Sequence, residues 1–191
     1  YTFQIASYCV DVCRGRVERQ KNIVTYAAYV TLFPQLVAGP IVRYSEIEQT
    51  LTRGADLSKI RGNIGNGLVR FAAGLGRKVL IANVAGEFVS EIAMLGQRDL
   101  PLSWAYAVAV SLQIYFDFSG YSDMAIGLGC MLGFDFPENF RYPFISRSVS
   151  EFWRRWHITL GAWFRDYVYI PMGGNRVSVP RWIVNVLVVW L

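Results

Sequence analysis

The sequence predicts an all-α, polytopic integral membrane protein. Three observations carry this: charge is nearly absent from long windows, prolines and carboxylates fall inside those windows, and an aromatic, arginine-rich segment surrounds the only histidine. From Asn22 to Val42, 21 consecutive residues include no Asp, Glu, Lys or Arg, and about 20 suffice to cross a hydrocarbon core. From Leu100 to Phe134 only Asp117 and Asp123 interrupt the apolar run. Hydrophobic residues make up 53% of the chain, little more than the roughly 45–50% of soluble domains. The distribution of apolar residues, rather than their amount, therefore points to the membrane.

Residues 1–13 open apolar and read as the end of a helix, followed at 14–21 by the basic loop "RGRVERQK". Lys and Arg between apolar spans mark cytoplasmic loops. Residues 22–42 read as a span or re-entrant pair broken near Pro34 and "AGP", Ala38 to Pro40. Two prolines release backbone groups that lipid cannot satisfy, so this stretch packs in protein or lines a wet cavity. Residues 44–61 alternate acids and bases and read as a solvated surface helix. Residues 62–95 form a glycine-rich helix whose Arg70, Arg77 and Lys78 sit about two turns apart, consistent with a side facing headgroups or with a partly buried amphipathic helix that has no binding role. Its glycines suit close helix packing.

After the "GQRDLP" turn, the span at 102–116 runs into "DFSGYSD", Asp117 to Asp123, on a helix with room for a short break. Ionised carboxylates at bilayer depth are costly unless they face water, a cation or donors, so they read as functional. Two readings stand: paired-carboxylate chemistry, or pairing with an arginine of residues 151–176. "GYSDM" is not a nucleophile elbow, because Met124 stands where a glycine is required. No phosphate-binding loop or two-histidine zinc motif appears, and no metal site is expected. The tail "WIVNVLVVWL" ends inside a hydrophobic element.

No repeat, low-complexity stretch or linker divides the chain, so residues 1–191 read as one domain, truncated at both ends. The start lacks the pattern of a cleaved signal peptide. The net charge of +5 fits an anionic membrane surface or an anionic substrate better than nucleic acid, because the basic residues sit between apolar spans. Cys9, Cys13 and Cys130 show no metal-ligand spacing and read as small apolar residues.

"SRSVSEFWRRWHITLGAWFRDYVYIP" begins with a capping box, Ser148 and Glu151, and stops at Pro171, which predicts one helix over 149–169. On it Ser150, Trp153, Arg154, His157, Leu160, Gly161 and Phe164 share a face. Arg155, Trp156, Thr159, Trp163 and Asp166 fill neighbouring strips. A helix that is aromatic and charged all round suits the wall of a polar tunnel. Gly161, one turn from His157, leaves room beside the ring. An imidazole there suits a general base and the arginines suit an anion. Alternatively, Arg154 and Arg155 anchor the helix at the headgroups and His157 completes a hydrogen-bond network. "MGGNR", Met172 to Arg176, is either a plain turn or an anion-binding loop.

"FPQLVAGPIVRY" (33–44), "QIYFDFSGYSDMAIGLGCMLGF" (113–134), "PENFRYPF" (137–144) and "SVSEFWRRWHITLGAWFRDYVYIPMGGNR" (148–176) resemble the membrane-bound O-acyltransferase family. The nearest likeness is to its bacterial branch that O-acetylates alginate and other exopolysaccharides. The resemblance implies a ring of transmembrane helices around a tunnel in a bacterial cytoplasmic (inner) membrane. It implies a donor thioester such as acetyl-CoA and no permanently bound cofactor. It also implies passage of the acetyl group outward to a periplasmic acetyltransferase partner and a polysaccharide acceptor. The histidine of the family's active-site motif falls on His157. Asp117, Ser119, Asp123, Asn139, Trp153, Arg154, Arg155, Asp166, Asn175 and Arg176 are the expected tunnel-lining or substrate-binding residues. The family's second histidine, in a later helix, is absent from this sequence, so the fragment alone is expected to be inactive. The competing functions are D-alanyl transfer to teichoic acid, a transporter or flippase, and a structural membrane subunit.

Overall fold

The computed structural model describes residues 2–36, 39–54, 56–95 and 99–190. Those residues are helical, turn or loop, with no strand among them, and they form two compact units.

The first unit draws on residues 2–36, 40–54 and 136–190. Helix α1 (Thr2–Cys13) ends where Gly15 adopts φ +67° and the Arg16 N–H returns to Asp11 O at 2.9 Å. Helix α2 (Ile23–Thr31) starts at Asn22, whose side chain accepts the Val24 and Thr25 amides. It runs for only nine residues before Pro34 sets a 3₁₀ turn at Phe33–Gln35. The expected break near Pro34 is present, but the expected span at 22–42 is not a continuous helix, because Pro34 withholds an amide and restricts the residue before it. The expected break at Ala38 lies outside the described residues.

Helix α3 (Tyr44–Arg53) ends at Gly54, φ +81°, so the expected surface helix at 44–61 is two elements rather than one. Tyr29, Val42, Tyr44 and Ile47 form the buried centre of this unit. The Tyr29 hydroxyl lies 3.2 Å from Val42 O, Gln35 Nε2 donates to Tyr29 O at 2.7 Å, and the Tyr29 and Tyr44 rings meet edge to face at 5.3 Å. Trp163 fastens the histidine segment to α1 by donating Nε1–H to Phe3 O at 2.9 Å.

That segment is not one helix. It is α7 (Val149–Arg155), a break at Trp156 and His157, α8 (Ile158–Phe164) and a π-helical turn at Arg165–Tyr169. The Ser148 half of the expected capping box is present, with Ser148 Oγ accepting the Glu151 amide at 3.1 Å, but Glu151 accepts the Arg147 amide at 3.0 Å rather than that of Ser148. Helix α9 (Val179–Trp190) follows the "MGGNR" turn.

The second unit contains α4 (Leu57–Gly76), a π-helical stretch at Arg77–Ala82 and α5 (Asn83–Met94), which form one continuous rod against α6 (Leu100–Met131). The "GQRDLP" turn begins at Gly96 to Arg98, outside the described residues. Asp99 caps α6 by accepting the Leu102 amide at 2.9 Å. The short break for which the sequence left room at "DFSGYSD" is absent: α6 runs unbroken for 32 residues. Glycines one heptad apart explain its close approach to α4. A Cβ on Gly74 would lie 2.6 Å from Gly120 O, and one on Gly127 would lie 2.7 Å from Gly67 O. Small residues at such crossings let helix backbones touch.

Arg70, Arg77 and Lys78 form ion pairs with α6. Arg70 pairs with Asp123 at 3.0 Å, Arg77 pairs with Asp123, and Lys78 pairs with Asp117. The two carboxylates therefore find their cations on the neighbouring helix of their own unit, not in residues 151–176. Among the described residues no helix is long and apolar enough to cross a membrane. Ser, Gly, Tyr and Gln dilute the apolar run even in α6.

The glycine contacts can be tested by thermal unfolding in detergent. Gly120→Ala would put a Cβ 2.7 Å from Gly74 O, and is expected to cost about 1–3 kcal/mol. At Gly65 a Cβ meets nothing within 4 Å, so Gly65→Ala is expected to be neutral or stabilising by up to about 1 kcal/mol. Equal effects would contradict the packing.

Candidate functional site

The break between α7 and α8 strands the helix-end backbone groups that would otherwise bond within one helix. A short loop segment satisfies them. The Arg141 N–H donates to Arg155 O at 2.9 Å, and the Ile158 N–H donates to Asn139 O at 2.9 Å. Residues 139–141 thus lie along the break and hold it open. At its centre His157 takes the left-handed conformation, φ 43° and ψ 55°, which a non-glycine residue holds only when its surroundings enforce it.

The enforcing group is Asn139, which is fully buried. Its Oδ1 lies 2.9 Å from His157 Nδ1, accepts the Thr159 hydroxyl at 3.0 Å and lies 3.4 Å from the Thr159 amide. A backbone N–H among these donors identifies the atom as the oxygen. Nδ1 therefore carries the proton in the neutral ring, and Nε2 carries the lone pair. The Thr159 hydroxyl in turn accepts the Ile41 amide at 3.0 Å. Phe140 lies nearly parallel to the imidazole, 15° between planes and 6.4 Å between centroids.

His157 lines a cavity of 630 Å³ with Ser150, Trp153, Trp156, Leu160, Gly161, Phe164, Arg165, Tyr169, Val189 and Trp190. Most of the face expected from helical spacing survives the break, but Arg154 is not on it. At Gly161 a Cβ would come no nearer to another residue than 3.9 Å, to Trp153 O, so room does remain one turn from the ring. Trp153 and Trp190 meet edge to face at 4.9 Å across the wall. Burial lowers the His157 pKa from 6.5 to about 4, because an apolar wall disfavours the charged ring. The imidazole is neutral at pH 7, the form that accepts a proton.

The other expected residues separate by role. Arg155 is held by Glu151 at 2.8 Å and donates to Arg141 O at 3.2 Å, so it braces the break. Arg154 donates Nε–H to Ser150 O at 3.1 Å on the exposed side. Asp166 accepts from Arg43 at 2.8 Å and from Arg165 at 2.7 Å. Burial pushes its pKa up, but the hydrogen bonds from Arg165 and Arg43 prevail and hold it below the usual carboxylate value. Asn175 accepts from the Tyr169 hydroxyl, and Arg176 closes the turn with its N–H on Gly173 O at 3.0 Å. In "MGGNR" the Met172 and Gly174 carbonyls accept from Asn185 Nδ2 at 3.3 and 3.2 Å, the arrangement of a plain turn. Asp117, buried Ser119 and Asp123 belong to the second unit, where the two carboxylates are taken up by Lys78, Arg70 and Arg77. Sequence reasoning missed Phe140 as the ring's neighbour and Thr159 as the second donor to Asn139. It also missed Asn185, whose one signal was a lone amide within an apolar tail.

The model of the membrane-bound O-acyltransferase family matches residues 17–191. The probable alginate O-acetylase AlgI of Pseudomonas aeruginosa is 46% identical over 179 residues, covering 93% of this chain and 34% of that protein. The peptidoglycan O-acetyltransferase of Helicobacter pylori is 40% identical over 172 residues, 89% of this chain and 32% of the relative. The teichoic acid D-alanyltransferase of Bacillus subtilis is 27% identical over 185 residues, 96% of this chain and 47% of the relative. The chain spans about a third of the length of the alginate relatives.

Asn139→Ala removes the shared acceptor of His157 and Thr159. It is expected to lower stability in thermal unfolding by about 1–3 kcal/mol. A melting temperature equal to the parent's would show that Asn139 does not hold the break.

Proposed function

The chain belongs to the membrane-bound O-acyltransferase family, and we propose that the whole protein moves an acetyl group from acetyl-CoA to a hydroxyl of an extracellular polysaccharide such as alginate. The observation that carries this reading is an imidazole held in one tautomer on the wall of an aromatic cavity with open space beside it. The alginate and peptidoglycan relatives named as O-acetylating are 46% and 40% identical, against 27% for the D-alanyltransferase. That ranking favours acetyl as the group transferred.

His157 Nε2 takes the proton of the attacking hydroxyl as its oxygen adds to the thioester carbonyl. The carbon–sulfur bond then breaks, and the proton passes to the departing sulfur, giving the acetyl ester and the free thiol. The first acceptor of the acetyl group is the polysaccharide itself or a periplasmic acetyltransferase partner that completes the modification. We place the protein in the bacterial cytoplasmic membrane. Apolar side chains exposed along one face of the second unit support contact with lipid: Leu80, Val84 and Phe88 with Trp104, Val108 and Leu112.

Polymer acetylation by the full-length protein carrying His157→Ala is expected to fall by about 10²-fold or more. Acetylation at the parent level from a stably inserted variant would refute the assignment and favour a transport role.

A further inference from the structure

A second cavity, of 350 Å³, is lined by Arg14, Arg16, Asp166, Ile170 and Pro171. The turn at Gly15 ends α1 and sets both arginines on its rim, where they are exposed. Arg14 donates Nη1–H to the main-chain carbonyl of Asp166 at 3.2 Å, and its guanidinium lies 5.6 Å from the Tyr167 ring centroid. Among the described residues Arg14 makes no ion pair with a carboxylate. Arg16 only approaches Asp11, at 3.7 Å, and Asp11 is buried and already accepts the Tyr167 hydroxyl at 2.5 Å. The one carboxylate lining the cavity, Asp166, is matched twice, by Arg43 and Arg165. Four guanidinium groups thus surround two carboxylates, and the two arginines on the rim are the less engaged.

We propose that this cavity binds phosphate groups, and that they are those of the thioester donor. Planar guanidinium forks present paired N–H donors that match phosphate oxygens, and a surplus of positive charge beside an apolar floor of Ile170 and Pro171 suits a phosphorylated ligand with an apolar arm. Position supports the donor as source. Asp166 lines this cavity, and its sequence neighbour and hydrogen-bond partner Arg165 lines the cavity of His157, so adjacent residues border the two cavities. The assignment rests on the proposed acyl transfer, and it identifies the residues that hold the donor.

Calorimetry on the full-length protein in detergent tests it, with CoA and its phosphate-free fragment pantetheine as probes. Arg14→Gln with Arg16→Gln is expected to weaken CoA binding by about tenfold or more and to leave pantetheine binding unchanged. Arg14→Lys with Arg16→Lys should restore part of the loss. The single variant Arg16→Gln, at an exposed position, should weaken CoA binding by itself, which keeps the test open if the double variant does not fold. Unchanged CoA affinity in a double variant that melts like the parent overturns the proposal. Loss of phosphatidylglycerol, read by native mass spectrometry, at unchanged CoA affinity assigns the phosphate to a lipid headgroup and overturns the donor assignment. His157→Ala is expected to keep the parent CoA affinity. A His157→Ala variant that still acetylates polymer at the parent level sinks the catalytic assignment of His157 alone, full-length parent protein that neither consumes acetyl-CoA nor acetylates polymer sinks the acyl-transfer reading, and indifference of CoA binding to Arg14 and Arg16 sinks only this proposal.

Discussion

One buried amide oxygen organises the first unit. Asn139 Oδ1 gathers His157 Nδ1, the Thr159 hydroxyl and the Thr159 amide, and the backbone on either side of Asn139 closes the helix break through Ile158 and Arg141. A buried acceptor with several donors is costly to disturb, because each would be left without a partner away from water. This is what holds a histidine in a left-handed conformation that a continuous helix would never ask of it. The consequence is chemical as well as structural: the ring has a fixed tautomer and sits at a corner rather than along a smooth wall.

The π-helical turn at Arg165–Tyr169 extends that logic. Such turns concentrate at functional positions, and this one sets Arg165 on the wall of an aromatic cavity and Asp166 on the wall of a basic one. The division of labour is consistent with a two-substrate reaction. Apolar walls keep the imidazole neutral, while guanidinium groups lining the second cavity supply charge. Tyr167 belongs to the same arrangement: burial and its hydrogen bond to Asp11 raise its pKa, so it stays a neutral donor to that carboxylate.

Much of this was legible in the sequence, and what was not has definite causes. The all-helical class, the Ser148 cap, the stop before Pro171, the proline break at Pro34 and the space at Gly161 all follow from local chemistry, and local chemistry is what a sequence records. The break at His157 was hidden because every residue around it tolerates helix; its cause is Asn139, 18 residues away, acting through tertiary hydrogen bonds. The partners of Asp117 and Asp123 were misplaced for a similar reason. Arg70, Arg77 and Lys78 lie 39 to 53 residues from them in sequence, and only the glycine contact between α4 and α6 brings them together. The face around His157 was nearly right even though the helix was not continuous, because the break preserved which side of the segment turns to the cavity.

The most direct test of the account is ¹⁵N NMR of the His157 ring in selectively labelled full-length protein, assigned by comparison with His157→Ala. The account predicts a neutral imidazole protonated at Nδ1 at pH 7, with protonation only as the pH falls well below 6.5 towards about 4. A ring protonated at Nε2, or one that titrates at its ordinary value near 6.5, would contradict it.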